Sequence, residues 1–319
     1  MDVHLVAVQA RVEPEAYRSA AAFRERTLEL AHRAVAGLPP GEPRVVAFPE
    51  GYALPLVFWL DTPDAVATAP TALAAGLRLL GRGLLDDPGA LLRRPAPDLL
   101  YLDRMPAVWP VYREAFSEAA QATESYLVAG SLFGPLVDHE PARGLHRQGP
   151  AAYNWLALFS PEGSVLARIP KLRLTPDERK AFLSRGEFGP HVVHTRLGRL
   201  GVLICLDAFH EALVERIDAA GAWLLVQPSA NAAAWDGPWT ADPGRIEGEV
   251  WLQEGLAKQL RGRENLRYGL NPMLNGELYD LRFEGRSSVV AAGRHLALAD
   301  EPTGDAVVRA TVERPMQEG

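Results

Sequence analysis

Short apolar runs closed by glycine or proline alternate with amphipathic stretches along most of this chain. HLVAVQA at residues 4 to 10 predicts a buried strand. Residues 14 to 37 predict an amphipathic helix, with Ala21, Leu28, Ala31 and Val35 near one face and Gly37 at its end. RVVAF at 44 to 48 is the next strand, stopped by Pro49. A helix over 110 to 124 and a strand over 126 to 133 follow further on, then a β-hairpin over 154 to 171 that turns at 161 to 163. Strands at 198 to 206 and 222 to 228 flank a helix at 208 to 221, closed by Gly221. Residues 243 to 262 read as one helix, and RYGLNPML, GRSSVVAA and DAVVRATV supply the last strands. Many of these strands are apolar on both faces, as in sheets covered by further layers.

Residues 54 to 106 break the pattern. They are rich in Leu, Pro and Gly, and they contain two stretches, 69 to 85 and 86 to 100, that read as short helices in a large excursion. No Ser/Gly-rich linker, charge block or solenoid repeat divides the rest, so the 319 residues read as one domain carrying an insertion at about 54 to 106. A hydrophobic content of 48% is ample for a large core.

Charge then narrows the partners. A formal charge of -7, with no basic stripe interleaved with aromatics, argues against nucleic acid. The start MDVHLVAVQ is strand-like and has no basic leader, and a lone cysteine forms no internal disulfide; both fit a cytoplasmic protein. The longest apolar runs fall short of the ~20 residues of a membrane span. Lysine occurs only at 171, 180 and 258, against 30 arginines. A lysine that persists in so arginine-rich a chain hints at amine chemistry, although Lys180 and Lys258 persist without any such reason.

Three residues could carry chemistry. Cys205 stands where the strand GVLIC runs out and a helix is about to begin, a place where free backbone N–H groups favour a thiolate; an inert core cysteine is the commoner fate of such a residue. Glu50, in FPEG, also follows a strand stop, and so could reach the same sheet edge or serve simply as a loop charge. Lys171 closes the hairpin in ARIPKLRL, where a solvated lysine is the default. Together they would supply base, electrophilic stabiliser and nucleophile to one pocket. His191 and His194 lack the carboxylate and third ligand of a zinc site, and GLRLLGRGLL fits no phosphate-loop spacing, so no metal or cofactor is expected.

The ordered set FPEG, IPKLRLTPDE and GVLICLDAFHEA resembles the nitrilase, or carbon-nitrogen hydrolase, superfamily. VQPSANAAAW at 226 to 235, RGRENLRY at 261 to 268 and FEGRSSVVAAG at 283 to 293 extend the likeness over nearly the whole chain apart from 54 to 106. The resemblance implies an α/β fold, a four-layer α-β-β-α sandwich, and a Glu-Lys-Cys triad of Glu50, Lys171 and Cys205. It also implies a homodimer or higher oligomer and a small-molecule amide as substrate. In that frame Glu50 is the general base, and Lys171 with the backbone N–H of Leu206 holds an oxyanion. Glu178 is the candidate second glutamate, with Asp177 as its rival and a plain helix cap as the alternative role. Tyr52, Asn231 and Trp235 are pocket candidates.

The text CLD after the nucleophile is closer to amidases than to nitrilases, whose pattern carries Trp-Glu. The family resemblance therefore favours amide hydrolysis, with N-acyl transfer, nitrile hydrolysis or a non-catalytic binding protein of the same fold as alternatives. Glu50 and Lys171 lie 121 positions apart, longer than the resemblance implies, because of the insertion. Its Phe58 and Trp59, with Tyr52, could roof the site and select an apolar acyl group, or the insertion could pack as an interface.

Overall fold

The computed structural model describes residues 1–86, 98–140, 144–189 and 191–315. Two sheets carry the architecture. The first holds nine strands: β1 (Asp2–Val12), β2 (Arg44–Ala47), β3 (Tyr126–Val128), β4 (Leu132–Glu140), β5 (Gly144–Phe159), β6 (Val165–Pro170), β13 (Leu274–Leu278), β14 (Leu281–Phe283) and β17 (Ala306–Glu313). The second holds β7 (Val192–Thr195), β8 (Gly198–Val202), β9 (Leu224–Val226), β12 (Tyr268–Asn271), β15 (Ser288–Ala291) and β16 (Arg294–Leu298). A small pair, β10 (Pro238–Trp239) with β11 (Asp242–Ile246), stands apart.

The period of two along each strand decides what lies on either face. Val3, Leu5 and Ala7 of β1 and Val45 and Ala47 of β2 pack with Leu200 and Val202 of β8 and Leu224 and Val226 of β9, so the two sheets share one apolar layer. The alternate residues Val6, Val8 and Val46 turn to the other side. There they meet Phe23 and Leu30 of helix α1 (Ala20–Val35). Phe116 and Ala119 of a long helix, Met105–Ala122, join the same cluster. On the outer side of the second sheet, Leu225 and Val290 pack against Val214 and Ile217 of the helix Glu211–Ala219. Helices, sheet, sheet, helices is the order these clusters give, in agreement with the expected sandwich. No helix among the described residues is long and apolar enough to cross a membrane.

Topology sets where strands end. β2 runs parallel to β3, β3 antiparallel to β5, and β5 antiparallel to β6. Consequently β2 and β6 point the same way, and the residues after both emerge at one edge of the first sheet. β8 and β9 are parallel neighbours in the second sheet, so their continuations also emerge side by side.

Four elements differ from the sequence reading. The helix expected over 14 to 37 is a 3-10 turn, Pro14–Tyr17, followed by α1, because the Ser19 hydroxyl accepts the Ala22 N–H and restarts the helix. Its inner face is Phe23, Thr27, Leu30, Ala31 and Ala34, with Leu28 and Val35 at the flank. The strand expected over 126 to 133 is two, broken at Gly130. A Cβ there would lie 2.4 Å from the Tyr52 Cβ and 2.9 Å from the Pro49 carbonyl oxygen. The helix expected over 243 to 262 begins only after β11 and is interrupted at Gly255 into Glu247–Glu254 and Leu256–Gln259. Finally, the hairpin over 154 to 171 is present, but its first strand starts ten residues earlier, paired with β4.

The insertion folds as helices: α2 (Pro55–Trp59), α3 (Asp64–Ala67), α4 (Ala72–Asp86) and a π turn at Asp98–Leu102. The first expected helix, over 69 to 85, corresponds to α4. The second, over 86 to 100, lies mostly outside the described residues.

Candidate active site

Each candidate side chain follows a strand end. After β2 the chain reaches Pro49 and Glu50 and then turns at Gly51, whose φ of +72 is a left-handed conformation glycine adopts without a Cβ clash. The turn is held from outside, since the Ser131 hydroxyl accepts the Gly51 N–H at 2.8 Å. It sends Glu50 toward the edge and Tyr52 inward.

After β6 comes Lys171, whose N–H donates to the Asn154 carbonyl at 2.8 Å. The next two N–H groups, of Leu172 and Arg173, donate to the Asp207 carboxylate at 3.0 and 2.6 Å. Behind them His191 is buried with Nε2 2.9 Å from the Pro170 oxygen, and burial pushes its pKa down to about 4. At that position the neutral ring braces the loop.

After β8 the chain leaves the sheet through Leu203 and Ile204 to Cys205, which has a φ of +49. For a residue with a Cβ this costs ~1–2 kcal/mol and persists only where the surroundings over-determine it. Here the Cys205 N–H donates to the Pro228 oxygen at 2.9 Å and its own carbonyl accepts from Gln227 Nε2 at 3.0 Å. The strained turn lifts the thiol out of the sheet toward the carboxylates.

The structure brings Glu50, Lys171, Glu178 and Cys205 together. Lys171 Nζ donates to Glu50 Oε1 at 2.7 Å and to Glu178 Oε1 at 2.9 Å. Asn154 Nδ2 donates to the same two oxygens, at 2.7 Å each. The Ala230 N–H, at the end of β9, holds Glu50 Oε2 at 3.0 Å, and the Cys205 thiol is within hydrogen-bonding reach of that carboxylate. Lys171, Glu50 and Cys205 are 1%, 5% and 7% exposed, yet all line one cavity of about 680 Å³ that opens to the surface.

Glu178 fills both roles weighed for it. Its Oε2 accepts the Thr175 N–H at 2.7 Å in a reciprocal capping box at the start of the helix Pro176–Lys180, while Oε1 faces Lys171. Asp177 points outward to Lys180 at 2.8 Å. Leu206 lines the cavity directly after the thiol, and so does Asn231, whose side-chain amide donates to the Ala233 and Glu284 carbonyls.

Two pocket candidates are placed elsewhere. Tyr52 is sealed in the helix-covered core between Phe48, Phe23 and Phe116, its hydroxyl 3.2 Å from the Thr27 hydroxyl, because the Gly51 turn points it away from the cavity. Trp235 is fixed by its N–H to Glu284 at 2.8 Å and lies over Gly248, outside the described cavity lining. Of the insertion's aromatics, Phe58 lines the cavity, whereas Trp59 packs in the core against Tyr279.

Two ionised carboxylates around one ammonium leave the cluster with an excess negative charge. Burial, and then Glu178, raise the Glu50 pKa against the pull of Lys171. Burial acts to lower the Lys171 pKa, but the charges of Glu50, Cys205 and Glu178 outweigh it and keep the ammonium protonated. The Cys205 thiol is pushed well up, first by burial and then by Glu50. A neutral thiol beside a basic carboxylate is therefore the resting arrangement.

Asn154 and the Ala230 N–H were not legible as site residues. Asn154 does stand at the head of NWLALF, a run otherwise apolar on both faces, and a buried amide in such a place needs polar partners. Asp207 had signalled only amidase-like chemistry; its structural part is to anchor the loop after Lys171.

Residues 7–314 match the carbon-nitrogen hydrolase family. A hydrolase encoded in the pqqF 5' region of Pseudomonas protegens is 28% identical over 165 residues, covering 51% of this chain and 52% of that protein; the chain thus spans about half the length of this curated relative. Among solved structures, a carbon-nitrogen hydrolase from Helicobacter pylori G27 superposes with a TM-score of 0.65 at 18% identity, covering 97% of this chain and 88% of the other. An amidase from Nesterenkonia sp. AN1 does so with a TM-score of 0.57 at 19% identity over 98% and 93%. These two likenesses bear on the fold. The match over nearly its full length makes the chain a member of the carbon-nitrogen hydrolase family.

Proposed function

We propose that the protein hydrolyses the amide bond of a small molecule through a thioester on Cys205. The observation that carries this reading is the convergence of a buried thiol, a carboxylate of raised pKa and a protonated lysine on one cavity. In the Nesterenkonia amidase, acrylamide adds to the active site cysteine, which supports a cysteine nucleophile here.

Glu50 takes the thiol proton as the sulfur attacks the carbonyl carbon, so no standing thiolate is required. Negative charge moves to the carbonyl oxygen. Lys171 has three N–H donors, of which Glu50 and Glu178 take two, leaving one for the oxyanion beside the Leu206 N–H. A preorganised donor of this kind is worth about 3–4 kcal/mol in the transition state. Glu50 then gives its proton to the leaving amine and the C–N bond breaks. Water enters, Glu50 takes one of its protons, and the hydroxide oxygen attacks the thioester. The C–S bond breaks, the acid departs and the thiol regains its proton. Glu178 and Asn154 position Lys171 and Glu50 throughout.

An amide and nitrile panel read by ammonia release tests the proposal, with Cys205→Ala as control. Turnover of amides by the wild type and its loss in the variant is the expected result. Release only when an acceptor amine is added would favour acyl transfer, and undiminished release by Cys205→Ala would remove the mechanism. The homodimer implied by the family is part of the same reading and is checked by sedimentation.

A further inference from the structure

The cavity above the thiol says something about the acyl group it receives. Helix α4 supplies Leu73, Gly76, Leu77 and Leu80 to its wall, spaced i, i+3, i+4, i+7, so one stripe of a three-turn stretch faces the space. Leu73 and Leu77 are nevertheless 74% and 59% exposed. The stripe therefore runs from the mouth toward the buried floor. Phe182 stands on the same mouth, 59% exposed, with a φ of +63. A phenylalanine held in that conformation on the turn after the Glu178 helix is costly locally and exposed to water, two features that a purely structural role would avoid.

The charged groups point the same way. Among the described lining residues the cations are Lys171, committed to two carboxylates, and Lys180, paired with Asp177. Against them stand Glu50, Asp177, Glu178, Glu247 and Asp280. A carboxylate-bearing substrate would meet an uncompensated negative field and lose its hydration in an apolar wall.

We infer that the acyl part of the substrate is an uncharged, medium- to long-chain aliphatic group, lodged along the inner stripe of α4 with its far end at the Leu73, Leu77 and Phe182 mouth. The inference rests on the thioester reading, which makes this cavity the acyl site. The reaction is hydrolysis of a fatty acyl primary amide, R–CO–NH₂ with water giving R–COOH and ammonia.

Gly76 provides a sharp test. A Cβ added there meets only Leu100 Cδ2, at 3.8 Å, so a larger side chain is accommodated and projects toward the cavity wall. Leucine is also the better helix former. Wild type, Gly76→Leu and Leu77→Glu would be assayed on propanamide, hexanamide, octanamide and the monoamide of adipic acid. Each buried methylene is worth up to about a fourfold gain, so wild-type kcat/KM should rise about 10- to 100-fold from propanamide to octanamide. Adipic monoamide should fall at least about tenfold below hexanamide, its match in chain length. Both variants should lower the octanamide-to-propanamide ratio by about tenfold, with circular dichroism confirming that they fold. Cys205→Ala protein, titrated calorimetrically with the same compounds, should bind octanamide more tightly than propanamide. Cys205-dependent turnover that prefers propanamide or adipic monoamide would overturn the inference and leave the mechanism standing. Turnover independent of Cys205 would remove the mechanism, and the calorimetric ranking would still decide the cavity's preference: octanamide first supports it, and any other order overturns it.

Discussion

Lys171 is a lysine for geometric reasons. A compact ammonium reaches Glu50 at 2.7 Å and Glu178 at 2.9 Å from one nitrogen, in a site where its side chain is 2% exposed. The planar fork of arginine spreads its donors and needs more room. Lys171→Arg should therefore lose about 10²–10³ in kcat, close to the loss in Lys171→Ala. The alanine variant should also unfold more readily, by about 3–5 kcal/mol, because two carboxylates are left buried without their cation. Ammonia-release kinetics and urea unfolding measure both; an arginine variant retaining most of the wild-type rate would contradict the tight oxyanion role. Asp207 poses the opposite case, a carboxyl whose burial wins. Its pKa is pushed up to about 7 from an ordinary 3.8, despite the N–H groups of Leu172 and Arg173 that favour its ionised form. Between those values the folded protein holds a proton the unfolded chain has released, so this group's contribution to stability is present at low pH and is lost as pH rises toward about 7. Asparagine keeps an acceptor for the two N–H groups and removes the buried charge. Asp207→Asn should flatten the fall in unfolding free energy from about pH 5 to 8; identical slopes for both proteins would refute this.

Elements place these residues, and small side chains decide where the elements end. Gly130 separates β3 from β4 and lies against Tyr52 Cβ and the Pro49 oxygen, directly beneath the turn that presents Glu50. Alanine there must push backbone, so Gly130→Ala should cost about 1–3 kcal/mol and lower activity more than a distant glycine of the same sheet would. Thermal unfolding with amide turnover checks this, and a variant equal to wild type in both would show that the turn tolerates the shift. The sequence carried the strand ends well. FPEG, ARIPK and GVLIC each announce a strand giving way, and those three ends hold the cluster. It carried side-chain direction poorly. Tyr52 follows Glu50 by two positions and looked like a pocket residue, but the left-handed turn at Gly51, conditioned on Ser131 far along the chain, sends it into the core. Trp235 was misplaced for a similar reason, its loop being fixed by Glu284 rather than by neighbours in the text. The helix break at Gly255 and the restart at Ser19 are local signals that apolar periodicity alone outweighed.

At the scale of the molecule, the site exists because two sheets end at one place. Glu50 and Lys171 come from the first sheet, Cys205 and Ala230 from the second, and the shared apolar layer between them fixes their spacing. The repetition of strand, stop and polar residue was visible in the sequence. What was not visible is the bridge across the sheets, since Asn154 and the Ala230 N–H belong to no motif that singles them out. The insertion completes the arrangement by walling the cavity with α4 and Phe58. The measurement that bears most directly on this account is the intact mass of the protein quenched during amide turnover, followed by peptide mapping. The account predicts a species heavier by one acyl group less a hydrogen, mapped to Cys205 and absent from Cys205→Ala. An acyl group carried by another residue, or hydrolysis that persists in the alanine variant, would contradict it.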